Sequence, residues 1–378
     1  VNHPPFFSAQ SWRVTAAVVV VLCAWLTPRQ AAAYPQYVFK GYGSCGACHH
    51  GATGGGLANR WGRESLDASF GGDGLGPLND DLTSEEPAGL KLDLGADVRM
   101  MPIFGTDGEG SLGPTVIPML AELGGALSAG PWLAYGTITP RKLEGSGPSY
   151  VAFSREHWLG YRVNDQFQVR VGRLVLPFGL RQPDHTQYVR EDFGFDKYDQ
   201  SYSAEVDFSG EQWSISGNIF VGDLPNEPAQ RQDRGLVLTG VREFESGAAL
   251  GLSALGSVSE ARTRGAGSLF ARVPFGKGTY ALVDLALQHL DAADGNGELS
   301  SVAEYLRLGW FVKPALDLYL EAGNRAFLAG DGLTKARLGL GASWWLFNWF
   351  ELAPQLLAET RSDLPTRLVG MAQLHLIY

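Results

Sequence analysis

From residue 91 onward the chain alternates apolar and polar side chains in one segment after another, and this period limits its fold more than any other feature. In KLDLGADVRM, Leu92, Leu94, Ala96, Val98 and Met100 share one face, and Asp93, Gly95, Asp97 and Arg99 share the other. That is the pattern of a strand lying between two environments. Comparable segments include WLAYGTITP, DQFQVRVGRLVL, SYSAEVDFS, RGLVLTGVREF, YALVDLALQHL, ALDLYLEAGNRAF and RLVGMAQLHLIY. With less regular stretches near 114–125, 149–162, 247–259 and 265–276, the total is about sixteen, and an even number suits a closed transmembrane barrel.

A soluble sandwich or propeller also has many strands, but these segments of about ten to thirteen residues exceed the usual ~5–6 of soluble strands. Tryptophans gather near segment ends, at Trp132, Trp213, Trp310, Trp344, Trp345 and Trp349. Interfacial aromatics of this kind mark a membrane boundary. The closing Leu374, Leu376 and Tyr378, at alternate positions, look like the terminal signal of outer-membrane barrels. The 49 glycines and the charged fraction of only 19% suit a turn-rich β protein. The expected class is therefore all-β: an antiparallel transmembrane β-barrel of about 16 strands over 91–378, in contact with outer-membrane lipid.

Residues 1–33 read as a secretory signal peptide. Arg13 precedes the apolar run VTAAVVVVLCAWL, and Ala31, Ala32 and Ala33 form a small-residue cleavage site before Tyr34. A retained anchor is the alternative, for which the apolar run is short of the ~20 residues a span needs. Cleavage removes Arg13 and Arg29 and takes the net charge from −10 to −12. Nucleic acid, which requires a basic footprint, is thereby excluded as a partner.

The stretch GSCGACHHGATGGG places Cys45, Cys48 and His49 at C-x-x-C-H spacing. A zinc site requires a second ligand pair nearby, and a redox dithiol belongs in a βαβ pattern; the sequence offers neither. Covalent haem c needs two thiols to add across the vinyl groups and an adjacent histidine for the iron, which is the set present here. One haem is expected, bound through Cys45 and Cys48 with His49 on the iron, in a minimal cytochrome segment over 34–70. Within it, LANRWGRESLDASF offers Leu57, Trp61 and Leu66 to pack on the porphyrin. The second axial ligand is open between a five-coordinate haem and a distal histidine. His375 lies opposite in parity to Leu374 and Leu376 and so faces the lumen; His185 lies in the longest loop. His289 has outward parity, and His157 falls where the alternation is irregular.

Residues 71–90, rich in Gly, Asp, Glu and Pro, read as a linker. A barrel of this size has a lumen wide enough to conduct solutes or to hold a plug, so a small haem segment on a linker can borrow its walls from the barrel. The stretch 172–200 is the longest expected loop and the most charged, with Arg181, Asp184, His185, Arg190, Glu191, Asp192, Asp196, Lys197 and Asp199. It is either an ordinary solvated loop or a segment that contacts a metal ion or folds into the barrel mouth. No nucleophile and base pairing or phosphate loop stands out.

Taken together, Tyr34 and Pro35 after the cleavage site, the Cys45, Cys48 and His49 set, Asn59, and Gly62 with Arg63 ahead of a barrel resemble the fused cytochrome-porin family. Its members join one haem c to an outer-membrane barrel and are best known as iron oxidases. The chain departs from the family in VFKGYGS before the haem motif and in GATGGG after the histidines. The resemblance implies electron transfer at the outer membrane, with extracellular Fe(II) or another redox partner as donor and a periplasmic electron-carrier cytochrome as acceptor. Carboxylates such as Asp184, Asp192 and Asp196 would suit a hard cation. The competing expectation is a porin gated or plugged by a haem-bearing periplasmic segment.

Overall fold

The computed structural model describes residues 48–51, 54, 56–59, 62, 83–85, 89–106, 111–142, 150–182, 187–195, 200–222, 232–276, 278–292, 297–330, 332–347 and 349–377. The strands run β1 (Thr83–Glu85), β2 (Leu90–Thr106), β3 (Ser111–Ala129), β4 (Trp132–Lys142), β5 (Tyr150–Phe153), β6 (His157–Arg162), β7 (Phe167–Val175), β8 (Gln200–Ser209) and β9 (Trp213–Phe220). They continue as β10 (Arg234–Glu243), β11 (Ala249–Val258), β12 (Arg262–Pro274), β13 (Thr279–Ala292), β14 (Glu298–Lys313) and β15 (Leu316–Ala329). The last three are β16 (Lys335–Phe347), β17 (Phe350–Arg361) and β18 (Leu364–Ile377).

Each strand pairs antiparallel with its sequence neighbour, and β18 returns to β2 with Leu374 opposite Met100 and Ile377 opposite Asp97. β4 pairs with β5 at its far end and with β6 nearer its start, so those two share one position in the wall. With β1 outside the ring, the result is a closed 16-stranded antiparallel barrel. Closure pairs most backbone polar groups of the strands within the wall. No helix among the described residues is long and apolar enough to cross a membrane.

The alternation sorts polar groups inward and apolar groups outward. Along β11, Ser253 is 1% exposed and points into the barrel, while its neighbour Leu252 is 62% exposed on the outer face. Trp132, Trp213, Trp310, Trp344 and Trp349 face outward near the rim where the connections are shortest, forming an aromatic girdle. Trp345 differs. Adjacent strand residues point to opposite faces, so next to outward Trp344 it turns inward and is buried.

The stretch read as a linker over 71–90 contains β1, which pairs Thr83 with Asp93 and Glu85 with Lys91. β18 reaches β2 only as far as Asp97, so β1 takes the edge of β2 that β18 leaves open. The irregular stretch near 114–125 lies within the longest strand, β3, whose pairing with β2 shifts register between Arg99 and Met100. A bulge of this kind disturbs the period without ending the strand.

Candidate functional site

The connection between β7 and β8 is the longest in the ring, and its described part folds into the lumen. Phe178, Tyr188, Val189, Phe193 and Phe195 pack against inward side chains of the wall, including Phe220, Val237, Leu255, Ala286 and Ala303. Phe178 and Phe195 stack with centroids 4.0 Å apart. Wall side chains also bind the loop backbone. The Gly179 N–H donates to Ser253 Oγ at 3.0 Å, the Leu180 N–H to Asp284 Oδ2 at 2.9 Å, and Gln288 Nε2 to the Phe193 carbonyl at 3.3 Å. Inside the loop, Arg190 donates to the Phe178 carbonyl at 3.1 Å. Gly179 has φ of 63°, and a side chain there would press on Asp284. Asp192 lies 3.0 Å from Arg325 and 2.8 Å from Lys335. This carboxylate, considered above for a hard cation, is taken up by two cations of the wall. Asp184, His185, Asp196, Lys197 and Asp199 lie outside the described residues.

The opposite wall receives the residues of the C-x-x-C-H segment. His50 Nε2 lies 3.1 Å from Asp93 Oδ2, on the inward face of β2. The Leu57 N–H donates to the Tyr135 hydroxyl at 3.0 Å, and the Leu57 side chain packs on a buried group of Ala126, Leu133, Tyr135, Trp158 and Leu174. Gly51 sits against Arg170.

The segment also folds back on itself. His49 bridges antiparallel to Ala58, the Asn59 N–H donates to the Cys48 carbonyl at 2.9 Å, and Asn59 Oδ1 accepts from the Gly62 N–H at 2.8 Å. A Cβ at Gly62 would collide with the Cys48 carbonyl. Asn59 and Gly62 therefore hold the return of the chain over His49. Cys45 lies outside the described residues.

His49 is partly buried, and its Nδ1 is enclosed with no hydrogen-bond partner. Burial, reinforced by the positive charge of Arg181, lowers its pKa to about 4. Neutral imidazole is the form that binds a metal. A neutral imidazole directly after Cys48, with its ring also hydrogen-bonded to the backbone at Gly56 and Leu57, fits the proximal ligand of a haem c, whose second ring nitrogen is ordinarily held by the protein. Among the described residues no group of three or more His, Cys, Asp or Glu is arranged to hold a metal ion by itself.

His375 faces the lumen as its parity predicts and is 1% exposed. Its Nδ1 lies 3.0 Å from Glu351 and its Nε2 3.2 Å from Asp97, with Trp345 edge-on at 5.9 Å. Both ring nitrogens thus face carboxylates, and a ligand role requires one of those pairs to open. Asp97 and Asp93, the anchors of His375 and His50, are four residues apart on β2, about 13 Å along the strand. His289 points outward onto Ser300 at 2.9 Å, and His157 lies between Ser154 and Tyr202. Sequence reasoning missed Tyr135, Trp158 and Arg170, which line the wall beneath Gly51 and Leu57. The inward parity of Tyr135 was the available signal.

No protein-family profile matches the chain, and no curated protein matches it in sequence. Its fold matches solved outer-membrane barrels. The anion-selective porin from Comamonas acidovorans aligns with a TM-score of 0.63 at 12% identity, over 76% of this chain and 100% of that one. A loop L8 deletion mutant of OmpT, an outer membrane protein of Vibrio cholerae, aligns at 0.62 and 12% identity, over 76% and 99%. The outer membrane channel DcaP of Acinetobacter baumannii aligns at 0.55 and 14% identity, over 78% and 99%. At these identities the likeness establishes the fold, a porin-like outer-membrane β-barrel, and not a solute or an activity.

Proposed function

We propose that this chain is an electron-transfer protein of the bacterial outer membrane, carrying one haem c on Cys45 and Cys48 with His49 on the iron, inside or at the short-turn end of the barrel. The observation that carries the reading is the attachment of the C-x-x-C-H segment to the inner wall through His50 with Asp93 and Leu57 with Tyr135. Haem, when bound, supplies one-electron exchange without bond making. The chain's own residues do the rest. His49 offers a neutral imidazole, Asn59 and Gly62 hold the peptide around it, and Asp93 fixes the next residue to the barrel. The infolded loop occupies the lumen on the other side and brings Arg181 near His49, limiting water around the site.

Short turns of an outer-membrane barrel face the periplasm, which puts the barrel's first and last strand ends beside a periplasmic electron carrier. The long loops face the medium, where Fe(II) is the concrete donor and Asp184 and Asp196 are the carboxylates suited to it. The test is anaerobic addition of Fe(II) outside proteoliposomes holding the full chain. Appearance of the reduced haem bands is expected, and neutralising Asp184 and Asp196 together should slow it several-fold. Reduction by dithionite alone would remove iron as donor.

A second reading, a porin gated by the haem segment, is favoured by one observation, the fold shared with the anion-selective porin and the DcaP channel. Single-channel recording separates the two: a conduit stays nearly closed, whereas a porin conducts steadily.

A further inference from the structure

The wall beneath Gly51 and Leu57 carries a donor that the fold leaves unused. Trp158, on the inward face of β6, is 5% exposed, and its indole N–H is buried with no hydrogen-bond partner. Native interiors rarely leave such a group unpaired, so an orphaned donor points to a missing acceptor. The indole is held firmly. It stacks on Tyr135 with centroids 5.0 Å apart and planes 22° apart, and Arg170 Cζ lies 5.0 Å from the ring centroid on its face. Arg170 is fixed in turn by an ion pair to Glu205 and by Asp207 at 3.5 Å.

This group meets the C-x-x-C-H segment directly. Leu57 packs against the buried group that contains Tyr135 and Trp158 and donates its N–H to the Tyr135 hydroxyl, and a methyl at Gly51 would come 2.6 Å from Arg170 Nη1. An indole N–H at the edge of a ring whose face carries a guanidinium offers a donor with a cation close by, a setting suited to a carboxylate. Haem c brings two such groups, its propionates, which thioether and iron bonds leave to be matched by the protein.

We propose that the Trp158 indole N–H, together with the Arg170 guanidinium, binds one propionate of the haem carried by Cys45, Cys48 and His49. The inference rests on the haem c reading. It makes Trp158 a positioning residue that also tunes the iron, because a propionate matched by a donor and a cation leaves less negative charge beside the metal and so favours the reduced state.

The test uses the haem-loaded full chain in detergent, as wild type, Trp158→Phe and Trp158→His. All three should stain equally for covalent haem on a denaturing gel. In Trp158→Phe, which keeps the stacking and loses the N–H, the propionate bending band in resonance Raman should move to lower frequency and the midpoint potential should fall. Trp158→His, which retains a ring N–H, should bring both back toward wild type. In wild type the same band should shift on transfer to D2O, as a propionate bonded to an exchangeable donor requires, and Trp158→Leu, which also lacks the N–H, takes the place of Trp158→Phe if that variant does not fold. Stained protein with an unshifted band in D2O, or a Trp158→Phe protein with unchanged band and potential, overturns the propionate assignment alone. Wild-type protein without covalent haem overturns the haem reading, and this inference with it.

Discussion

His50 Nε2 lies 3.1 Å from Asp93 Oδ2 with both side chains about nine-tenths buried, so the residue directly after the C-x-x-C-H histidine is fixed to the first strand of the closed ring. A flexible leader would have no such attachment. Asp93→Asn keeps the shape and removes the charge, which should weaken the anchor by about 1–3 kcal/mol. Hydrogen exchange at residues 48–59 should then speed up at least about five-fold while the strands stay protected. Unchanged exchange would show that the contact does not hold the segment.

The His49 imidazole gives a pH dependence of defined sign in protein without haem, such as Cys45→Ala/Cys48→Ala. Its pKa is about 4 when packed and 6.5 when released. Released segment therefore binds more protons between those values, and packing weakens as pH falls from 6.5 toward 4. The full effect is on the order of 3 kcal/mol. Protease cleavage within 48–59 should rise over that window and stay flat above pH 7, and His49→Gln should flatten the profile.

Asp192 pins the infolded loop to Arg325 and Lys335. Removing one member of a buried ion cluster leaves the others without a counter-charge, so Asp192→Ala should loosen residues 187–195 from the wall. Single-channel recording in a planar bilayer should show a larger and noisier conductance than wild type. An identical trace would mean that the packing of Phe178, Phe193 and Phe195 holds the loop without it.

The two faces of β11 give the most local test of the barrel. Leu252 faces lipid and Ser253 faces the lumen. Leu252→Arg should cost about 2–4 kcal/mol if it sits near the bilayer midplane, read as a lower urea midpoint for the heat-modifiable gel band. Leu252→Ala should cost far less.

The alternation made the barrel legible in the sequence because segments of this length, with tryptophans at their ends, favour a membrane barrel over a soluble sandwich or propeller. His375 is the clearest single case: its place between Leu374 and Leu376 fixed its inward direction, and the structure buries it between Asp97 and Glu351. The fate of the β7 to β8 connection could not be read the same way. Its mixture of charged and aromatic residues suits solvent or lumen equally, and the choice depends on Ser253, Asp284 and Gln288, which are remote in sequence. β1 was hidden for a similar reason. Thr83–Glu85 has no strand pattern of its own and pairs only because β18 stops short of Lys91. Around His49 the sequence displays only the spacing of Cys45, Cys48 and His49; Tyr135, Trp158 and Arg170 come from three different strands, so no local motif announces them.

The central claim is that a haem c is carried by residues 45–49 of an outer-membrane barrel. Its most direct test is mass spectrometry of the full chain purified from a host with the haem c attachment machinery, digested to isolate the peptide holding Cys45, Cys48 and His49. A peptide heavier by one haem is expected, with the addition lost in Cys45→Ala/Cys48→Ala. A wild-type peptide that returns at its unmodified mass with both thiols open to alkylation would contradict it and leave a porin-like barrel.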